Sequence, residues 1–337
     1  KTYFFLDEGT VRAVDGCSFE VLRGQTIGIV GESGCGKSVT SQSILRIVPP
    51  PGRIVAGEII FYRKEKGDVL GSVVEEVRLH ELDERGARIR SIRGNEIAMI
   101  FQEPMTSLSP VHTIGDQIME AIMLHQRVDR REARKRAVEM LDRVGMPQPE
   151  QRVEYYPHQL SGGMRQRAMI AMALSCHPSL LIADEPTTAL DVTTEAQILD
   201  LMRHLQEEMG MAIMYITHNL GVIAEMCNEV VVMYLGKEVE WAEVDAVFYD
   251  PRHPYTQALL RSIPRIGQKS RERLEAIKGI VPDPYAIPKG CPFHPRCAKF
   301  IPGVCNSEQE VPFVEVAARH WVRCHLYSEQ GKSEGVA

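Results

Sequence analysis

Gly31-Glu32-Ser33-Gly34-Cys35-Gly36-Lys37-Ser38 fits G-x-x-x-x-G-K-S without a gap, and no other stretch limits the fold of this chain so strongly. A short apolar run, Thr26–Val30, precedes it, and a segment from Lys37 to about Ile47 that reads as a helix follows. Strand, glycine loop and helix in that order give the pattern its meaning. The glycines let backbone N–H groups turn inward around phosphate oxygens, and the helix N-terminus adds a partial positive charge. Lys37 reaches toward β- and γ-phosphates, and Ser38 offers a hydroxyl to Mg²⁺. Gly31, Ser33, Gly34, Cys35, Gly36, Lys37, Ser38 and Val39 are therefore candidate phosphate-site residues. A helix N-terminus beside Cys35 is expected to lower its thiol pKa; the plainer reading of Cys35 is a small spacer.

The rest of the chain suits such a loop. Apolar strands at Ile97–Phe101, Leu180–Ala183, Ala212–Thr217 and Val230–Leu235 alternate with helical segments, among them Thr194 to Met209. This alternation predicts an α/β protein with a parallel sheet and crossover helices. Val11–Val14 and Cys17–Val21 read as β-structure, Gly57–Tyr62 as another strand, and Glu81–Ile92 as a helix within a charged insert, residues 63–95. From Ile114 to Val144 the chain reads as helical, with Ala133, Ala137, Met140, Leu141 and Val144 on one face. The basic cluster within Arg127–Arg136 alternates with Asp129 and Glu132, which indicates a solvated helix face rather than a nucleic-acid patch. Charge agrees: 39 Lys+Arg against 45 Asp+Glu gives −6, where a dedicated nucleic-acid binder carries a basic excess. No apolar run approaches the roughly 18 residues that cross a bilayer, and no signal peptide opens the chain, so a soluble protein is expected.

Leu180–Ala183 runs into Asp184 and Glu185. Asp184 is a candidate Mg²⁺ ligand, and Glu185 a candidate general base that orients the attacking water. Ten of the 20 prolines lie between Pro251 and Pro312, so residues after about 250 read as a loop-rich extension. It holds Cys291, Cys297, Cys305 and Cys324, separated by five, seven and eighteen residues. That spacing matches neither a C-x₂-C zinc ribbon nor a ferredoxin run. Zinc, an iron–sulfur cluster, and unliganded thiols or disulfides all stay open on spacing alone. His294, His320 and His325 are spare ligands that read as surface residues.

Further motifs follow in a telling order. Gln102 comes after a buried strand, Leu160-Ser161-Gly162-Gly163-Met164 precedes Leu180–Ala183 by about 20 residues, Ala189-Leu190-Asp191 follows the two carboxylates, and His218 ends the next strand. Singly they are ordinary: Ser161 reads as a helix N-cap, and His218 as a packed strand-end histidine. Together, over residues 3 to about 240, they resemble the ATP-binding-cassette (ABC) ATPases, with Met164 where the LSGGQ signature usually has Gln. The resemblance implies a P-loop NTPase core with an antiparallel β subdomain and a helical signature subdomain at about 103–165, residues 1–250 forming the nucleotide-binding domain. It implies adenine stacking by Tyr3, with Phe4 as a neighbouring candidate. It also implies γ-phosphate and Mg²⁺ sensing by Gln102, contacts by Ser161 and Gly163 to the γ-phosphate of ATP on an opposite subunit, nucleotide-binding positions at Gly162 and Asp191, and a γ-phosphate contact by His218.

The segments Asp250–Leu260 and Glu103–Pro110 resemble the dipeptide, oligopeptide and nickel import ATPases. Some members of that subfamily carry a [4Fe–4S] cluster in a similar tail, so the resemblance favours iron–sulfur over zinc in 251–337. It implies an ATPase at the cytoplasmic face of the membrane, working with permease subunits and a second ATPase subunit, identical or homologous. An extracytoplasmic substrate-binding protein would act indirectly, and nucleic acid takes no part. A nickel importer, a non-transport cassette ATPase, and a redox-sensing regulator are the rival readings.

Overall fold

A computed structural model describes residues 1–63, 75–102, 107–188, 190–262 and 277–328. Its strands are β1 (Thr2–Leu6), β2 (Gly9–Val14), β3 (Thr26–Val30), β4 (Gly52–Ile54), β5 (Ile60–Arg63), β6 (Glu75–Arg78), β7 (Ile97–Ile100), β8 (Leu180–Asp184), β9 (Ala212–Ile216), β10 (Glu229–Tyr234), β11 (Lys237–Glu243), β12 (Phe313–Ala317) and β13 (His320–Arg323). The helices include α1 (Lys37–Ile44), α2 (Ala87–Ile92), α3 (Ile114–His125), α4 (Arg130–Arg143), α5 (Pro149–Arg152), α6 (Gly162–Leu174), α7 (Val192–Met209), α8 (Leu220–Met226), α9 (Val244–Tyr249) and α10 (Pro254–Arg261). The chain divides into two compact units, one of residues 1–20, 27–80 and 217–337, the other of residues 21–26 and 81–216. No helix among the described residues is long and apolar enough to cross a membrane.

The first unit is built on a mixed sheet. β3 and β10 are parallel, with Gly28 opposite Val230 and Ile29 opposite Val231. Both are buried along their whole length, as expected of β-branched strands covered on both faces. β11 turns back antiparallel to β10, β13 pairs antiparallel with β11, and β12 closes the edge. A separate antiparallel sheet orders β2-β1-β4, and β5 pairs β6 as a hairpin. Cys17–Val21 forms no strand, which leaves β1 and β2 as the β-structure of the opening stretch. Within the charged insert the helix starts only at Ala87, and residues 64–74 lie outside the described set.

The extension is less loop-like than its prolines suggest. Phe313-Val314-Glu315-Val316 alternates toward β12, and β12–β13 joins the same sheet as the phosphate-loop strand. Two acids on β11 anchor it. Glu240, fully buried, accepts from the Arg252 N–H (2.7 Å), the His253 N–H (2.9 Å) and the His320 ring (2.7 Å). Glu238, also fully buried, pairs with Arg323. His320 and His325 are thus buried, 3% and 2% exposed, rather than on the surface. Tyr234, Tyr255 and Phe293 complete a shared core, their ring centroids 4.7–5.3 Å apart, an aromatic packing that adds to simple area burial.

In the second unit β7, β8 and β9 are parallel neighbours. The helical run 114–144 is interrupted. Thr113 caps α3 by accepting from the Asp116 N–H (3.1 Å), and Asp129 caps α4 by accepting from the Glu132 N–H (2.8 Å). An Asp whose side chain satisfies an otherwise orphaned helix N–H starts a new helix there. The basic face of α4 is laced with ion pairs: Arg130–Asp116, Arg134–Glu154, Lys135–Glu139 and Arg136–Glu132. The solvated-face reading stands.

Candidate functional site

The predicted site residues fall into two groups, one in each unit. The phosphate loop lies in the first, between β3 and α1. Two of its glycines are required by space. A Cβ on Gly31 would lie 2.2 Å from the Met233 carbonyl oxygen, and one on Gly36 would lie 2.1 Å from that of Ala13. Gly36 also has φ +101°, in the region that L side chains rarely adopt, and caps α1. Lys37 is buried and folds back on its own loop, donating to the carbonyls of Gly31 (2.8 Å) and Glu32 (3.3 Å). Ser33 and Gly34 are exposed, and Ser38 and Val39 are half-buried. Thr40 and Ser41 return their hydroxyls to the carbonyls of Gly36 and Ser38, tightening the first turn of α1.

Cys35 corrects one expectation. Its thiol pKa is raised, because burial outweighs the nearby Lys37 charge and the local backbone N–H groups. The buried side chain fills space beside Gly31, to which a Cβ would come within 2.7 Å of Cys35 Sγ. The spacer reading holds.

Tyr3 on β1 donates its hydroxyl to Asp15, and Arg12 lies 5.8 Å over its ring. Burial and the Asp15 carboxylate push the Tyr3 phenol up to about 12. His218 is exposed, just before the Asn219 cap of α8.

The second unit holds the carboxylates. Asp184 ends β8 and is only 4% exposed. Glu185 follows at φ +48°, a left-handed conformation costly for a residue with a Cβ. Its N–H is held by the Ile216 carbonyl (2.8 Å), while Oε2 accepts from Gln102 Nε2 (3.0 Å) and Thr188 Oγ1 (3.1 Å). Gln102 and Glu185, predicted from separate motifs, are thus in direct contact. Sequence reasoning missed Thr188 and the strained backbone; the Pro186-Thr187-Thr188 turn is the only local hint.

Ser161 caps α6, accepting from the Met164 N–H at 3.4 Å, as expected. Gly163 approaches α7 closely, since a Cβ there would lie 2.9 Å from Thr194 Cγ2. Gly162 is exposed. Asp191 caps α7 by accepting from the Thr194 N–H (3.0 Å) and hydroxyl (2.7 Å), bonds that hold its carboxyl below the usual range. Glu103–Thr106 and Ala189 of the predicted motifs lie outside the described residues.

All eight cysteines are free thiols. Cys291, Cys305 and Cys324 are buried and Cys297 is half-buried. The Cys291 N–H donates to the Cys305 carbonyl (2.9 Å). Burial pushes Cys291 and Cys324 up to about 12, and the other three thiols of the set add to the shift at Cys324. Cys291 and Cys305 share one apolar core, and Cys297 packs against it. As arranged they do not fit a bound metal: among the described residues no group of three or more His, Cys, Asp or Glu is placed to hold one. The donors predicted for Mg²⁺, the hydroxyl of Ser38, the carboxylate of Asp184 and the amide of Gln102, are all hard oxygen groups of the kind that cation takes.

Comparison with known proteins agrees with this chemistry. Residues 14–188 match the family model described as ABC transporter, and residues 239–305 that described as the oligopeptide/dipeptide transporter C-terminal region. A probable peptide ABC transporter ATP-binding protein of Sinorhizobium fredii is 51% identical over 98% of this chain and 93% of its own length. The oligopeptide transport ATP-binding protein AppD of Bacillus subtilis is 49% identical over 99% and 97%. The dipeptide transport ATP-binding protein DppD of Escherichia coli is 47% identical over 92% and 89%. Among solved structures, a dimeric bacterial ABC transporter cassette superposes with a TM-score of 0.61 at 26% identity, covering 72% of this chain and 95% of that one. A glycine loop, a strand ending in paired carboxylates and a Ser-Gly-Gly helix cap, with matches on this scale, place the chain among the ABC transporter ATPases, in the oligopeptide/dipeptide importer family.

Proposed function

We propose that this chain is the ATP-hydrolysing subunit that powers an ABC importer of dipeptides or oligopeptides. A nickel importer ATPase is the alternative. The contact that carries the catalytic assignment is Gln102–Glu185, with Thr188 on the same carboxylate oxygen and the Glu185 backbone held at positive φ. A carboxylate fixed from two sides is suited to orienting a water for in-line attack on a γ-phosphate. Glu185 is the base, Gln102 reports the γ-phosphate and Mg²⁺ to a membrane partner, and His218 holds the reacting groups in line.

Lys37 and the amides from Gly31 to Val39 bind the phosphates, Ser38 and Asp184 take Mg²⁺, and Tyr3 stacks on adenine. When bound, Mg²⁺ supplies charge that neutralises the phosphate oxygens. Ser161, Gly162 and Gly163, with Asp191 capping the next helix, face the nucleotide of a second ATPase subunit, so that both nucleotides must be in place before the site closes. The helical stretch about 103–165 presents that signature, residues 1–250 forming the nucleotide-binding domain. The chain works at the cytoplasmic face of the membrane with permease subunits, served indirectly by an extracytoplasmic substrate-binding protein.

Glu185→Gln tests the assignment. The amide cannot accept a proton, so the variant should bind ATP and accumulate as an ATP-bound dimer in size-exclusion chromatography, with turnover down by about 10²-fold or more. Near-normal turnover defeats it.

For the extension, we propose that the four cysteines bind metal, a [4Fe–4S] cluster in preference to zinc. In favour is the shared core of Cys291, Cys305 and the adjoining Cys297; against it is that the cysteines form no ligand set as arranged. No step of hydrolysis is routed through them.

A further inference from the structure

Glu32, the second residue of the phosphate loop, is held through three different groups, and two of its holders come from the extension. Its N–H donates to the Tyr255 hydroxyl (2.9 Å). Its carboxylate takes both terminal nitrogens of Arg296, at 2.7 and 3.1 Å. Its carbonyl accepts from Lys37 Nζ. Arg296 stands between Cys291 and Cys297 in sequence, and its side chain is 3% exposed. Two further donors go to the Lys278 carbonyl (3.2 Å) and the Tyr234 hydroxyl (3.3 Å), and the guanidinium lies 5.9 Å from the centroids of both Tyr234 and Phe293. A planar guanidinium held by four hydrogen bonds is a rigid fork, and a bidentate carboxylate pair fixes orientation as well as distance.

We propose that Arg296 is a positioning residue for ATP binding: through Glu32 it braces the phosphate loop, making the extension part of the nucleotide site's scaffold. The brace acts on the carbonyls that hold Lys37 in its resting place. Gly31 and Glu32 carry the oxygens that the ammonium must leave to reach a phosphate. With Glu32 pinned by Arg296 and Tyr255, those oxygens and the adjoining amides keep one geometry before nucleotide arrives. A loop fixed in advance loses less entropy on binding, which appears as affinity. An ordinary structural ion pair would affect stability alone.

The inference rests on residues 31–38 being the ATP phosphate loop, and the test separates the two. Nucleotide-free full-length protein, Arg296→Lys, Glu32→Gln and the double variant are titrated with a fluorescent ATP analogue. Amide hydrogen exchange over residues 32–38 is followed without nucleotide. Lys keeps the charge but loses the fork, and Glu32→Gln, at a 26% exposed side chain, leaves a second route should the arginine variant fold poorly.

Each single variant should weaken analogue binding about tenfold, and the double variant no more than the worse single, because one contact is lost in all three. Exchange over 32–38 should quicken, and for Arg296→Lys the loss should appear in KM for ATP rather than in kcat. Additive losses, or wild-type affinity and exchange in both singles, overturn the proposal while leaving the ATPase reading intact. Failure of wild-type protein to bind the analogue overturns both.

Discussion

His253 makes the extension's stability depend on pH in a calculable way. It is 1% exposed and caps α10, its Nδ1 accepting from the Tyr255 N–H at 3.0 Å. That bond requires an unprotonated Nδ1. Burial lowers the His253 pKa from 6.5 to about 4, against the opposing pull of Glu240 and the Arg323 carbonyl. The folded pKa is therefore below the unfolded one, and between the two values the unfolded chain binds a proton that the folded chain refuses. The contribution is complete above about pH 6.5 and is lost as pH falls toward 4. At pH 5 these two pKa values correspond to a loss of about 2 kcal/mol relative to pH 8. His253→Asn retains a good cap acceptor and removes the titration. Urea unfolding followed by tryptophan fluorescence is well suited, because the only two tryptophans, Trp241 and Trp321, are register partners on β11 and β13. Wild-type protein should lose about 2 kcal/mol more than the Asn variant between pH 8 and pH 5. Equal losses would refute the assignment of a buried neutral histidine.

The two remaining predictions concern the loop and the thiols. Gly36→Ala forces a Cβ to 2.1 Å from a backbone oxygen and should abolish binding of an ATP analogue. Gly210→Ala, at φ +62° with open space around it, should cost about 1 kcal/mol and leave binding alone; similar effects from the two would contradict the steric account. Anaerobically purified protein should hold about four iron and four sulfide per chain if the cysteines bind a cluster. One zinc without sulfide would make the tail a plain clasp, and no metal would end the ligand proposal.

Much of the scaffold was legible because its determinants are local. Thr26–Val30 and Leu180–Ala183 are apolar runs of strand length, and Gly36 and Ser161 announce helix starts. The split at Asp129 was legible too, since Asp129 and Glu132 stand at cap spacing, but the apolar periodicity on both sides of it masked the break. What stayed hidden is tertiary. Nothing in Lys237–Glu243 says that Glu238 and Glu240 face inward, because their partners Arg323 and His320 lie about 80 residues away. A hidden partner, Glu240, is also why His320 reads as a surface residue. At the site, motif order identified Gln102 and Glu185 but could not reveal their contact or the positive φ, which depend on how the turn after β8 closes.

The placement of Glu238 and Glu240 bears on how relatives of this chain can be recombined. A chimera cut near residue 250 follows the change in composition, yet it would separate two fully buried acids from the arginine, the histidine and the backbone donors that neutralise them. An unpartnered buried carboxylate is among the most damaging things a fold can contain. A cut placed upstream of β11 keeps strand, extension and ion pairs together, so that this edge of the sheet moves as one piece.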